Sequence, residues 1–332
     1  MKNQLSRIVA AFLAVIPSFG MIHPLSAQER AGHSDSCVAG ELVLPSGELY
    51  PNGIAWLSDG TLYVGHVTSG RILRKRPGEN WRLFFAGAEE VFAANSLRLD
   101  ERHGLLWGTS PDFLPSGQVR PHRVFALDLA TGEIRRSLTL PGGGMPNDTF
   151  VTSDGIVYLT DTSYGAILRL RPKDKKFDVV YQDERLTGPS RIGAAGIVRT
   201  QDGTLIVNNF GTGKIYILDE VSRKAPELRE LLLPRLIENP DGMGLAPDGS
   251  LIVLENAIES GAGKILRIAD PLLPGPRNIE VLRKGLESPV NLTITPNGCA
   301  FITESRIRHR LLPGHEEETP DRFRILQIPL GH

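Results

Sequence analysis

The 332 residues carry 37 Lys and Arg against 38 Asp and Glu, a formal net charge of −1, and this balance supplies no basic face for nucleic acid or anionic lipid. A small molecule is therefore the expected partner. The 35 Gly and 24 Pro suit many short strands joined by turns, and beyond the N-terminus no stretch offers the roughly 20 apolar residues of a membrane span.

Lys2 and Arg7 precede an uncharged run from Ile8 to Ile16, and Leu25-Ser26-Ala27 follows. This reads as a signal peptide over residues 1–27, cleaved after Ala27, with a periplasmic or secreted product. Residues 28–332 are read as a single domain, since one all-β ring can fill that length. Cys37 opens the mature chain and Cys299 lies near its end; two cysteines in an exported protein favour a disulfide.

From Asn52 onward a phrase recurs: an Asn or Asp, a small or apolar strand, a Gly-containing turn, and a second apolar strand. Its copies open at Asn52, Asn95, Asn147, Ala195, Asp241 and Asn291, about 50 residues apart, which is the spacing of propeller blades. The sequence therefore predicts an all-β, six-bladed β-propeller. Asp59-Gly60, Asp154-Gly155, Asp202-Gly203, Asp248-Gly249 and Asn297-Gly298 supply the positive φ that tight hairpins need. They lie at the opposite end of the strand from the opening residues, so their side chains are assigned to turns. The last copy provides strands near 292–295, 300–304 and 323–330 and lacks an outer one. Residues 41–45, reading Glu-Leu-Val-Leu-Pro, supply it, so that blade 6 closes with an N-terminal strand and Cys37 comes to the blade of Cys299.

The first strand of each propeller blade lines the central channel, which turns Asn52, Asn95, Asn147, Asp241 and Asn291 toward one axis. Such a ring of oxygens is costly to desolvate alone, and a divalent metal of the hard, oxygen-seeking kind, Ca²⁺, compensates it. The second strand returns to the same face. It adds His66, Ser110 with Asp112, Asp161, Asn208 with Asn209, Glu255 with Asn256, and Glu304. Of these, Asp161, Glu255 and Glu304 are candidate second-strand contributors to the metal, and His66 is a candidate base. The insertion 306–322, with His309 and His315, leaves from Glu304 on this face and is placed to cover a substrate. The chain has no G-x-S-x-G, H-E-x-x-H or phosphate-cradling loop, which argues against serine esterase, zinc protease and nucleotide chemistry.

Two phrases carry a resemblance. Met145-Pro-Asn147-Asp148 and Asn239-Pro-Asp241-Gly242-Met243 are similar to motifs of the SMP-30/gluconolactonase/LRE-like family of calcium-dependent six-bladed propellers, and the likeness spans nearly all the mature chain. The resemblance implies that Asn147 is a metal ligand or substrate contact, and that Asp241 is a metal ligand and general base. Where the family opens its first blade with Glu, this chain has Asn52, and where it opens its fourth with Asn, this chain has Ala195. The implied function is an exported, metal-dependent hydrolase of lactones or esters. A cation polarises the carbonyl while a carboxylate activates water. Asn52 and Ala195 favour the alternative of a non-catalytic propeller that binds a small ligand or a protein partner in the cell envelope.

Overall fold

The computed structural model describes residues 37–114, 119–219 and 226–331; the expected signal peptide lies outside the described residues. Six antiparallel sheets of four strands are present. In the first, Pro51–Trp56, Leu62–His66, Ile72–Lys75 and Arg82–Phe85 follow one another from the channel outward. The other inner strands are Ser96–Asp100, Pro146–Val151, Ala194–Arg199, Pro240–Leu245 and Pro289–Ile294. Each inner strand packs against the next, and Pro289–Ile294 returns to Pro51–Trp56, which closes the ring. The described residues form the six-bladed propeller that the repeat predicts.

Closure is as expected. Gly40–Val43 pairs antiparallel with Arg324–Pro329, Glu41 opposite Leu326, and completes the sixth blade outside Cys299–Glu304. Cys37 and Cys299, 262 residues apart, form a disulfide with their Cα atoms 5.3 Å apart. The bond ties the entering chain to the last blade, so that opening the ring requires breaking a covalent link.

Both faces of every blade are covered by a neighbour, and this explains the uninterrupted apolar runs in the second strands, such as Leu205-Ile206-Val207. Side chains alternate in direction along a strand. Accordingly Leu205 and Val207 join Ile197 and Tyr158 between blades 3 and 4, while Ile206 joins Val253 and Leu266 between blades 4 and 5. The core is thus six clusters, one at each junction. Where inner strands converge there is no room for a side chain. A Cβ on Gly196 would lie 2.2 Å from the Asp241 carbonyl oxygen, and one on Gly242 2.6 Å from that of Val290.

The hairpin aspartates are turn formers, as the sequence suggests. Gly60 and Gly249 adopt φ of 88° and 83°. Asp59 and Asp248 accept the backbone N–H of Thr61 and Ser250 at 2.8 and 2.9 Å. No helix of the described residues is long and apolar enough to cross a membrane.

Candidate active site at the channel mouth

The inner strands begin with a bulge. Pro51 pairs with His66 and Ile54 with Val64, so that Asn52 and Gly53 together oppose one residue; Pro146, Ala194 and Pro240 begin their blades in the same way. A bulge re-aims the side chains it contains, and here it turns Asn52, Asn147 and Asp241 into a cavity of about 220 Å³ at the channel mouth. Asn95 reaches the same cavity from blade 2, whose inner strand pairs without a shift. Thr162 and Asn256 complete its polar floor.

The floor is wired to the blades behind it. Asn256 donates Nδ2–H to Asp241 Oδ2 at 2.9 Å, and Asn147 donates Nδ2–H to Thr162 Oγ1 at 3.2 Å. Asn208, fully buried, donates to the Asp241 carbonyl oxygen at 2.5 Å and accepts the Gly196 N–H at 3.0 Å, which fixes the backbone that carries the carboxylate. Asn256 is the one hydrogen-bond partner recorded for the Asp241 carboxylate, and no cationic side chain lines the cavity among the described residues. Burial pushes the Asp241 pKa up to about 7, and the charge of Asp148 adds to the effect against the Asn256 hydrogen bond. A carboxylate displaced this far in a cleft makes Asp241 a candidate functional position.

Beneath the floor, Arg98 crosses from blade 2. Its guanidinium bonds Asp148 of blade 3 and Asn291 of blade 6, each at 3.0 Å, and the Leu97 carbonyl at 2.8 Å. Ser96 donates to Asp148 at 2.7 Å. This network occupies the channel below the cavity and corrects the sequence reading of Asn291. Pro289 pairs with Glu304 as Pro51 pairs with His66, so the sixth mouth position is Val290, and Asn291 lies one step deeper, level with Gly53 and Asp148. A one-residue slip in register moves a side chain to a different environment. Val290, not Asn291, lines the cavity.

The ends of the second strands also differ from expectation. His66 is fully buried and does not line the cavity; its Nδ1 lies 3.2 Å from the Arg71 carbonyl and its Nε2 3.8 Å from Glu48. Burial, against the opposing pull of Glu48, holds its pKa below the usual value. Asp161 accepts backbone N–H groups of Met145, Ser163 and Tyr164; burial still raises its pKa above the ordinary value. Glu255 is bound by Arg235 at 2.5 Å, by Lys264 at 3.1 Å and by the Glu238 N–H at 2.9 Å. Burial works to raise its pKa, but these partners outweigh it and hold it below the usual range. Glu304 is held by Arg324 at 2.6 Å and the Glu287 N–H at 2.9 Å. Asp161, Glu255 and Glu304 thus secure neighbouring loops, and in blades 3, 4 and 5 alternation turns the residue after the second strand toward the mouth. Thr162 follows Asp161, Phe210 follows Asn209, Asn256 follows Glu255, and all three line the cavity.

The insertion 306–322 packs over the mouth, and Ile307 and Leu311 reach the cavity. His309, buried, places Nε2 2.9 Å from Glu287, which Arg306 also meets at 3.2 Å. Tyr50 and Thr319 share a hydroxyl hydrogen bond of 2.7 Å. His315 remains outside, against Glu318 at 2.8 Å.

The donors at the floor are oxygen atoms: three amides, one carboxylate, and the buried Oδ1 of Asn256, which has no partner among the described residues. This set fits a hard cation in kind. With Ala195 and Val290 at two of the six positions, it offers a single formal negative charge.

No protein-family model matches the chain, and no curated protein is significantly similar to it. Solved structures are. A gluconolactonase from Xanthomonas campestris superposes with a TM-score of 0.62 at 17% identity, covering 88% of this chain and 90% of that one. A luciferin-regenerating enzyme gives 0.60 at 14% identity, over 88% and 96% of the two chains. Virginiamycin B lyase from Staphylococcus aureus gives 0.58 at 15%, over 88% and 99%. In fold, the chain is a six-bladed β-propeller similar to the gluconolactonase and luciferin-regenerating enzyme structures.

Proposed function

We propose that the protein is an exported lactonase-type hydrolase whose reaction centre is Asp241 at the floor of the channel mouth. The observation that carries this reading is a lone carboxylate at the channel mouth, held at one oxygen by Asn256 and set among Asn52, Asn95 and Asn147, with burial pushing its pKa up to about 7. A base is most effective when its pKa lies near the working pH. In this reading Asp241 takes a proton from water as the water oxygen attacks the ester carbonyl carbon. The C–O bond to the leaving group then breaks, and Asp241 returns the proton to that alkoxide. The Asn52, Asn95 and Asn147 amides orient the reacting group.

A divalent cation, Ca²⁺ by donor type, would be held by Asn52, Asn95, Asn147 and Asp241, and when bound it polarises the carbonyl. The Cys37–Cys299 disulfide supports export, since such bonds persist in oxidising compartments. The gluconolactonase among the similar folds supports a lactone as the substrate class. Ala195 and Val290 favour a second reading, a ligand-binding propeller without turnover, because they remove two donor positions from the ring.

Metal analysis of the purified protein and a lactone and ester panel, before and after chelation, test the proposal. Hydrolysis that falls on chelation and returns with calcium is the expected result. Calcium binding with no hydrolysis across the panel would transfer the site to the second reading.

A further inference from the structure

The walls of the mouth cavity differ in character from its floor. Above Asn52, Asn95, Asn147 and Asp241, the lining is supplied by Phe113, Ile192, Phe210, Ile258, Ile307 and Leu311, drawn from separate loops and from the insertion 306–322. Among the described lining residues Asp241 is the sole charged group, and the only other polar side chains are Thr162 and four amides, all belonging to the floor. Four of those polar groups are already engaged, Asn147 with Thr162, Asn256 with Asp241, and Asn95 with the Asn147 carbonyl. A polyhydroxylated ring placed here finds no wall partner for its hydroxyls among the described residues, and each one desolvated without a partner costs about 1–3 kcal/mol. A methylene placed against the same walls gains about 0.8 kcal/mol.

We infer that the substrate is a lactone or ester with an apolar tail, its carbonyl on the amide and carboxylate floor and its tail against Phe210, Ile258, Ile307 and Leu311. This inference rests on the proposed hydrolase reading for the position of the carbonyl, and on the wall composition alone for the tail. The insertion 306–322 then has a definite role. It supplies two of the apolar contacts, and its anchorage through His309 and Arg306 to Glu287 holds them over the mouth.

The test pairs turnover with binding. γ-Lactones with n-alkyl tails of about two to about eight carbons are compared with glucono-δ-lactone for hydrolysis, and the matching alkyl γ-lactams, which resist hydrolysis, are titrated calorimetrically. kcat/KM and lactam affinity are expected to rise roughly fourfold per methylene until the cavity is filled, with the sugar lactone at least about 10²-fold poorer. Ile192→Ser and Leu311→Ser should flatten that slope. Both residues are partly exposed, at 45% and 38%, so folding is not at stake. Lactam binding that follows tail length without any lactone hydrolysis would sink the hydrolase reading and leave the apolar-tail inference standing. Hydrolysis that prefers the sugar lactone, or no dependence on tail length in either measurement, overturns the inference.

Discussion

Asn256 donates its side-chain amide hydrogen to Asp241 Oδ2 at 2.9 Å, while its own buried Oδ1 meets no partner among the described residues. One amide thus holds a carboxylate, and an acceptor oxygen beside it is left unpaired. The donated hydrogen favours the ionised carboxylate against the burial that raises its pKa, and the unpaired oxygen beside it favours a cation at this point.

The first consequence concerns stability. The Asp241 pKa rises from 3.8 to about 7 on folding. In metal-free protein its proton therefore favours the native state fully below about pH 4, and that contribution is lost as pH rises through about 7. Asp241→Asn removes the partly desolvated charge and keeps an acceptor for Asn256. At pH 8 in chelator it should be more stable than wild type by up to about 2–4 kcal/mol, with little difference at pH 4. Thermal melts at the two pH values measure this; a variant less stable than wild type at pH 8 would show that the carboxylate is not under strain.

Cation affinity should follow from the same proton. With one carboxylate in the set, Ca²⁺ is expected to bind with Kd on the order of 10⁻⁴–10⁻³ M at pH 8, and roughly tenfold more weakly at pH 6, where Asp241 must first be deprotonated. Asp241→Asn should weaken binding and abolish the pH dependence, whereas Asn147→Ala should weaken it and keep the dependence. Calorimetric titration at both pH values decides; a wild-type Kd that ignores pH removes Asp241 from the ligand set.

Arg98 is the structural counterpart of the site. It is 17% exposed and its partner Asp148 3%, so Arg98→Met leaves a carboxylate buried and unpaired. A loss of about 3–5 kcal/mol is expected, and adding Asp148→Asn should recover part of it. Denaturant unfolding of both variants provides the measurement. Equal stability of the single variant and wild type would contradict the role assigned to this pair.

The disulfide should matter to the ring as a whole. Cys299→Ser leaves the N-terminal strand held to the last blade by pairing alone and should cost about 2–5 kcal/mol, as removal of a native disulfide commonly does. A melt of the oxidised variant beside wild type tests this, and peptide maps under reducing and non-reducing conditions verify the bond. An unchanged melting temperature would mean that strand pairing alone closes the ring.

The blade count, the closure of blade 6 and the Cys37–Cys299 pairing were legible because each follows from a repeated apolar pattern that only a ring can bury. The register of blade 6 was not. Val290 and Asn291 are neighbours, and the Asn matched the repeat by residue type, but the bulge decides which of two adjacent residues faces the mouth. The preceding proline carries that information: Pro51, Pro146, Pro240 and Pro289 each pair with the end of the second strand. That His66, Asp161, Glu255 and Glu304 do not line the cavity was not legible for a related reason. Chain direction brings these residues to the correct face, but alternation turns their side chains into the loops, and after Asp161 and Glu255 it is the following residue that lines the cavity. The wall of the cavity was beyond sequence reading, because Phe113, Ile192, Ile258 and Leu311 come from loops whose meeting place only the fold defines.

The most direct test of the central claim is kcat/KM against pH for hydrolysis of an alkyl γ-lactone by wild type and Asp241→Asn, at a calcium concentration below saturation. The account predicts a wild-type rate that rises with pH through about 7 and then levels, and a loss of about 10²–10⁴-fold in Asp241→Asn. A variant that hydrolyses the lactone at the wild-type rate with the same pH profile would contradict it.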